Sequence, residues 1–589
     1  MGLFQKAYET YENHRSLVGS YSAGGKVFDE PLAPVGHIIT KAELEITLTA
    51  EGSFVSVDRV EKDDAKTIIP VTEESAGRTS GICAHPLCDN LGYLSPDNRE
   101  KNALYVAQLS EWESSEYTHP ILTAVLNYIK RGTIADDLKN ASVEYSEKGI
   151  VRWSVIGLDE GENRCCYKNE SLFDAFERYY LSKKKENVLC MVSGKYSPKA
   201  SQHIKGVSAL NGNAKLVSAN DTTNFTFRGR FGDESEAATM SYEASQKAHN
   251  ALKWLIANQA DYIGKRAFLC WNPSGKAVPK PHLPFRRVES AETVPSDYGK
   301  DLFLALNGYK YSFAPSDSAV IAVFDAATSG RLALTYYSEV RISDYEERLK
   351  AWDESCAWKY RKTSEVSSPS LREIVRCAFG VERNGKLDVD ERLEKEQIQR
   401  LLRCRLDALP MPWDIVFAIS EKAKHPSSYN KKTYENLQYT ACAVIRKYYI
   451  DHFKEEYKMA LERDKRDRSY QYGRLLAILD KAERDTYDNN EDRKTNAMRL
   501  QTAFCEHPLR SSKQLIEQVK TGYYPRLAPN RRAFYERQIG EIMEILSSMP
   551  EAQLNAPLKE TYILGYYLQK NELYSKKDTN EKSEGNENE

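Results

Sequence analysis

Residues 215–259 read KLVSANDTTNFTFRGRFGDESEAATMSYEASQKAHNALKWLIANQ, and three kinds of local structure follow one another within them. Lys215–Ser218 is a short β-rich run. The stretch after it is polar and basic, with glycine between Arg228 and Arg230, an arrangement that suits close backbone approach to a phosphate. From Ser235 to Asn258 the apolar and small residues share one stripe at helical period, which predicts a single long helix. Strand, basic loop and long helix in this order place a mixed α/β region at the centre of the front of the chain.

Working outward, the N-terminal MGLFQKAYETYENH is amphipathic, with Leu3, Phe4, Ala7, Tyr8 and Tyr11 on one side. His37 to Val60 alternates apolar and polar with a break at Glu51-Gly52-Ser53, so a β-hairpin is expected. Gly149–Ile156, Val188–Val192, Ala267–Trp271, Ala319–Asp325 and Arg331–Ser338 read as further strands, and Ser171–Lys184 as a helix. The character changes near residue 365. Lys395–Leu406, Thr433–Leu461, Tyr470–Arg484, Ala533–Leu546 and Thr561–Leu573 all have helical period, separated by breaks at Pro410-Met411-Pro412 and Tyr524-Pro525. The fold class is therefore α+β: a mixed α/β region over 1–368, a helical bundle over 369–573, and an acidic tail, 574–589, expected to be disordered.

The chain has 589 residues, a formal net charge of −2 and 29% charged residues, enough for two to four ordinary domains. No apolar run approaches the roughly 20 residues of a membrane span, and the N-terminus lacks a signal-peptide pattern, so a cytoplasmic location and no membrane partner are expected. Eleven cysteines lie among apolar neighbours and read as small buried hydrophobes. Cys83-Ala84-His85-Pro86-Leu87-Cys88 has metal-ligand types but no well-spaced fourth ligand. The adjacent Cys165-Cys166, taken as strand neighbours, would point to opposite faces. No metal or other cofactor is expected.

Catalytic motifs fail on inspection. Gly380-Val-Glu-Arg-Asn-Gly385-Lys386 has phosphate-loop spacing, but Leu387 replaces the magnesium-binding hydroxyl and Leu371–Phe379 reads as a helix where a strand is required. Gly380 fits a helix C-cap at positive φ instead. There is no HExxH, GxSxG or CxxC pair, so a non-enzymatic role is expected. Charge distribution is more informative. Lys195, Lys199, Lys205, Lys215, Arg228 and Arg230 face one acid, Asp221, between residues 195 and 231. Many of the 37 tyrosines adjoin bases, as in Lys447-Tyr448-Tyr449, Tyr523-Tyr524-Pro525-Arg526 and Arg532-Ala533-Phe534-Tyr535. Such pairs suit phosphate contact with base stacking, or a core tyrosine beside a snorkelling base.

Several motifs together resemble the large subunit of the subtype I-C CRISPR Cascade interference complex. They are Leu216-Val-Ser218, Asn224-Phe225-Thr-Phe227-Arg228-Gly-Arg230-Phe231 and Gln246-Lys247-Ala-His249-Asn250-Ala in the opening stretch. Arg78-Thr-Ser80-Gly81 with Asp89-Asn90-Leu-Gly-Tyr93 resembles the N-terminal motif, Gly473-Arg474-Leu-Leu-Ala477-Ile-Leu479 the GRLxAxL helix, and Gly565-Tyr566-Tyr567-Leu568-Gln569 the closing GYYxQ. Leu568 stands where histidine is expected. The resemblance implies a protein that binds guide RNA and target double-stranded DNA beside other Cascade backbone subunits, reads the protospacer-adjacent motif, helps open the strands, holds the R-loop and helps recruit a helicase-nuclease.

On that reading Arg228 and Arg230 contact phosphate, with Lys195, Lys199 and Lys205 beside them. Asn220 and Asn224 form one base-reading group, and Arg78, Ser80 and Asn90 a second. His249 reads as a packed core histidine. The resemblance also implies a small subunit translated from within the same gene. Lys454-Glu455-Glu456 allows purine-rich codons ahead of Met459, so residues 459–589 are the expected product. They would carry Arg474, Arg526, Arg531 and Arg532 as a basic surface for displaced single-stranded DNA. The competing reading is a stand-alone RNA-binding or RNA-processing protein.

Overall fold

The computed structural model describes residues 2–575 except 79–80, 209–210, 218–238, 277, 283–316, 327, 329, 361–364 and 489–492. The chain forms two compact units, one of residues 1–278 with 316–341, the other of 279–315 with 342–589. The sheets lie mainly in the first and the second is mainly helical, an α+β protein continuing into a helical region.

The alternation seen from residue 37 becomes a 13-residue strand, His37–Thr49 (β1), with Leu44, Ile46 and Leu48 buried on one face. It pairs antiparallel with Phe54–Arg59 (β2) and Lys66–Pro70 (β3), and in parallel with Ile150–Ile156 (β4). Its buried face packs on Arg99–Glu113, Pro120–Arg131 and Glu170–Ser182, where Leu, Ile and Val side chains form one core with Trp112, Tyr128, Trp153 and Phe176. Each such side chain contributes about 1.5–3 kcal/mol by leaving water.

The second sheet of this unit is a four-stranded antiparallel meander: Asp261–Ile263, Arg266–Trp271, Ser318–Asp325 and Ala333–Arg341. Ser318–Asp325 is buried along its whole length, which explains why it reads as an unbroken apolar run. The N-terminal helix Leu3–Asn13 (α1) and the long helix Tyr242–Gln259 (α2) share a core with it, and Trp271 donates to Thr10 Oγ1 at 3.0 Å. A small hairpin, Asn187–Leu189 (β5) with Tyr196–Pro198 (β6), precedes α2. The expected strand at Lys215–Ser218 does not form. Lys215 makes single bridges to Lys205 and Arg331, and Ser218 lies outside the described residues.

In the helical unit, Lys431–Phe453 (α3) and Arg468–Arg484 (α4) are buried on nearly every side over their middles. The helix expected to run to Leu461 stops at Phe453. Lys454 adopts φ +57° and its N–H returns to the Ile450 carbonyl, while Glu455 N–H reaches Tyr449 O. A left-handed cap on a lysine carries no glycine signal, so periodicity alone overran it. Gly380 also differs from expectation. It does cap a helix, but at φ −71°, and a side chain there would meet the Arg376 carbonyl oxygen at 2.5 Å and Leu387 Cβ at 2.9 Å. The phosphate-loop spacing is a helix end followed by a hairpin turning at Asn384 and Gly385, both at positive φ.

The two C-terminal sequence motifs meet each other. Helix α4 crosses Tyr562–Ser575 (α5) so closely that a side chain on Gly473 would be driven into the Tyr562 carbonyl oxygen, and one on Gly565 into that of Tyr470. Flanking bonds seal the crossing: Arg474 Nε to Gln569 Oε1 at 3.0 Å and Tyr566 OH to Asp480 at 2.9 Å. Gly473→Ala or Gly565→Ala therefore forces the backbones apart and costs about 3 kcal/mol, the upper end of ordinary overpacking. Urea unfolding of the full chain reads it as a lower midpoint, and an unchanged midpoint would show that the crossing yields freely.

Candidate nucleic-acid interface

The N-terminal motif builds a turn. Arg78 donates to both carboxylate oxygens of Asp89 at 2.8 Å and to the Cys83 carbonyl at 2.7 Å, and its guanidinium lies 4.8 Å from the Tyr93 ring centre. Asp89 is fully buried and also accepts from the backbone N–H of His85 and Asn90. Asn90 caps the short helix Leu91–Leu94, its Oδ1 accepting from Gly92 N–H. The Arg78 guanidinium and the Asn90 amide oxygen thus serve the turn itself, for Asn90 the backbone-bonding role common to turn asparagines. A buried carboxylate demands a cation, and arginine supplies it. Ser80 lies outside the described residues, as do Asn220, Asn224, Arg228 and Arg230.

The Gln-Lys-x-His-Asn run of α2 is largely architectural too. Asn250 donates to the carbonyls of Ala33 and Pro34, and Lys247 is held by Glu12 and Glu243. His249 is fully buried, with Nδ1 against the Ser245 carbonyl, and its ring stacks with His203 at 5.7 Å. Burial lowers the pKa of His249 to about 4. Burial, then the nearby His249 and Lys215, lower that of His203 to about 3, so both imidazoles are neutral at pH 7. Among the described residues no group of three His, Cys, Asp or Glu is placed to hold a metal ion. Cys88 and Cys166 come within 3.6 Å as buried thiols, Cys166 in a 3₁₀ turn rather than on a strand.

Surface cations remain on the β5–β6 hairpin. Cys190 anchors its loop among Met240 and Ala244, so the rest projects outward. Tyr196 is 78% exposed, Leu189 and Met191 are exposed, and Lys185 and Lys195 stand beside them. Lys183 and Lys184 of the same run are paired with Glu111 and Glu73, and Lys199 with Glu186 at 3.1 Å. Lys205 instead approaches only the carbonyls of Gly77 and Arg78, at 3.5 and 3.4 Å. Lys185 and Tyr196 escaped the sequence reading. A run of three lysines and a Lys-Tyr pair were the available signals, but the pattern does not tell a paired lysine from a free one.

In the helical unit the expected basic surface divides. Arg474 is 1% exposed and donates to Gln569, Gln471 and the Arg463 carbonyl, so it is a core group and cannot track DNA. Arg526 is exposed, whereas Arg531 pairs with Asp485 and Arg532 with Glu536, the latter 5.7 Å from the Tyr524 ring centre. Lys513, Lys520 and Arg537 add exposed positive charge along 513–537. The chain enters Tyr524 through a π-helical turn at Val519–Tyr523. No helix among the described residues is long and apolar enough to cross a membrane.

Arg78→Met leaves Asp89 buried without its cation and should cost about 3–5 kcal/mol of stability, with Asp89→Asn in the same chain recovering part of the loss. Urea unfolding of the three variants checks this. Full stability combined with lost nucleic-acid binding would instead make Arg78 a ligand contact.

No curated protein matches the chain. The family described as CRISPR-associated protein (Cas_Csd1) matches residues 8–574, a span that includes the hairpin, α2 and the α4–α5 crossing, and the chain belongs to that family.

Proposed function

We propose that the chain is the large subunit of a type I-C CRISPR interference complex, without catalytic activity of its own and working in the cytoplasm. It recognises the protospacer-adjacent motif in double-stranded DNA, helps unwind the target, stabilises the R-loop and helps recruit the helicase-nuclease that cuts. Guide RNA and the other Cascade backbone subunits are its partners. The observation that carries this reading is the family match over nearly the whole chain. The hairpin supports it: the exposed Tyr196 beside Lys195, which has no acid partner, offers a ring for a base and charge for the backbone. Arg228 and Arg230 are assigned to phosphate and Asn220 and Asn224 to base edges, on the family resemblance of their loop.

The segment 459–589 is assigned to a separately translated small subunit. Met459 lies between α3 and α4 rather than inside a helix, so the product starts between elements. The α4–α5 crossing and the Arg474–Gln569 bond fall wholly within it. Arg526 and its neighbours would then follow displaced single-stranded DNA.

Two measurements test these assignments. Lys185→Ala with Lys195→Ala in the assembled complex should flatten the log–log salt dependence of target binding by about two units, equally on duplexes with and without the motif. Motif preference itself should survive this change. A complex that never prefers motif-bearing duplex contradicts the reading. Replacing Met459 by leucine, with the upstream codons recoded synonymously, should remove the short C-terminal product, and its undiminished persistence would rule out this start.

A further inference from the structure

A cleft in the first unit encloses about 260 Å³, and its lining includes Ile38 and Ile39 of β1, Ala76, Gln202, Lys205 and Gln246 of α2. That volume is just below the roughly 300 Å³ at which pockets for whole small molecules begin, so one ring system fits and a larger cofactor does not. Ile39 and Ala76 are half-buried and supply an apolar wall, while Ile38, its strand neighbour, turns its side chain to the core of the first sheet. Gln246 is 4% exposed, and its Oε1 is buried with no hydrogen-bond partner. A buried amide oxygen left unpaired is costly, and a ligand donor would satisfy it. A carboxamide presents donor and acceptor side by side, the pattern that matches the edge of a nucleobase.

Charge at the cleft is just as selective. Glu73 is already occupied by Lys184 and by the backbone N–H groups of Ser201 and Gln202, at 2.8 and 3.1 Å. Lys253 is paired with Glu30 at 2.7 Å. Lys205 faces carbonyls alone, and burial, then Lys215 and Arg78, push its pKa down. An arriving phosphate would relieve that crowding.

We infer that this cleft receives one unpaired nucleotide of the bound nucleic acid, with its base against Ile39 and Ala76, the base edge on Gln246, and a phosphate on Lys205. The inference rests on the reading of the chain as a nucleic-acid-binding subunit. The nucleotide's chemistry is shared by target DNA and guide RNA, so the test carries an arm for each.

In the assembled complex, 2-aminopurine is placed at single positions of the target DNA in one arm and of the guide RNA in the other. Target binding is followed in parallel by gel shift. One position should brighten on assembly or target binding, because a base held against aliphatic side chains has left its stack, and the arm in which it appears names the source. Gln246→Leu and Lys205→Met should each abolish that gain and weaken binding of the strand concerned about tenfold. Lys205→Met changes a half-buried site with only carbonyl partners, so it keeps the test decisive if Gln246→Leu fails to fold. A complex that binds target duplex normally while no position brightens, or whose gain survives Lys205→Met, overturns the cleft assignment alone. A complex that binds no target overturns the parent reading and this one with it.

Discussion

Charge taken out of water must be met by opposite charge or by hydrogen bonds, and that requirement organises both units. Arg78 answers Asp89, Arg266 answers Asp325 at 2.6 Å, and Arg405 answers Asp353 at 2.6 Å. Arg152 lies over the Tyr167 ring with Glu45 at 2.7 Å, and Arg474 is shared between Gln569 and two neighbours of its own segment. Arg78 closes a local turn, and the other four cations join segments distant in sequence. Such pairs add little net stability over an apolar contact, but removing one partner is expensive, so they fix which elements meet.

The same requirement decides which cations are left for a polyanion. A chain of near-neutral net charge has no general attraction for nucleic acid, so on the proposed reading recognition falls to bases the fold does not consume. In the first unit Lys185 and Lys195 stand on an exposed hairpin, and Lys205 faces a cleft with only carbonyls as partners. In the helical unit Arg526 stands beside pairs that occupy Arg531 and Arg532. Distribution within each unit, rather than total charge, supports the proposed role.

Much of the architecture was legible from periodicity. β1 declared itself by alternation, because burial of one face imposes a period, and Ser318–Asp325 by an unbroken apolar run; α2, α4 and α5 read as helices although they are buried nearly all round. Lys454 hid a helix end, since a left-handed lysine leaves no compositional mark. Gly380 and Gly385 gave a phosphate-loop spacing that is really a cap and a hairpin. The candidate site was less legible for a related reason. Motif arginines such as Arg78 and Arg474 look alike in sequence whether they meet a phosphate or a buried carboxylate, and the partner that decides lies 11 and 95 residues away respectively. Family motifs therefore marked the joints of the fold more than its contact surface.

The central claim is that nucleic acid is met by the cations the fold leaves unpaired. Lysine acetylation footprinting of the assembled complex, with and without target duplex, tests it most directly. Lys185, Lys195 and Lys205 should lose reactivity when target binds, while Lys184 and Lys247, already held by carboxylates, stay slow in both states. Equal modification of Lys185, Lys195 and Lys205 with and without bound target would contradict the account.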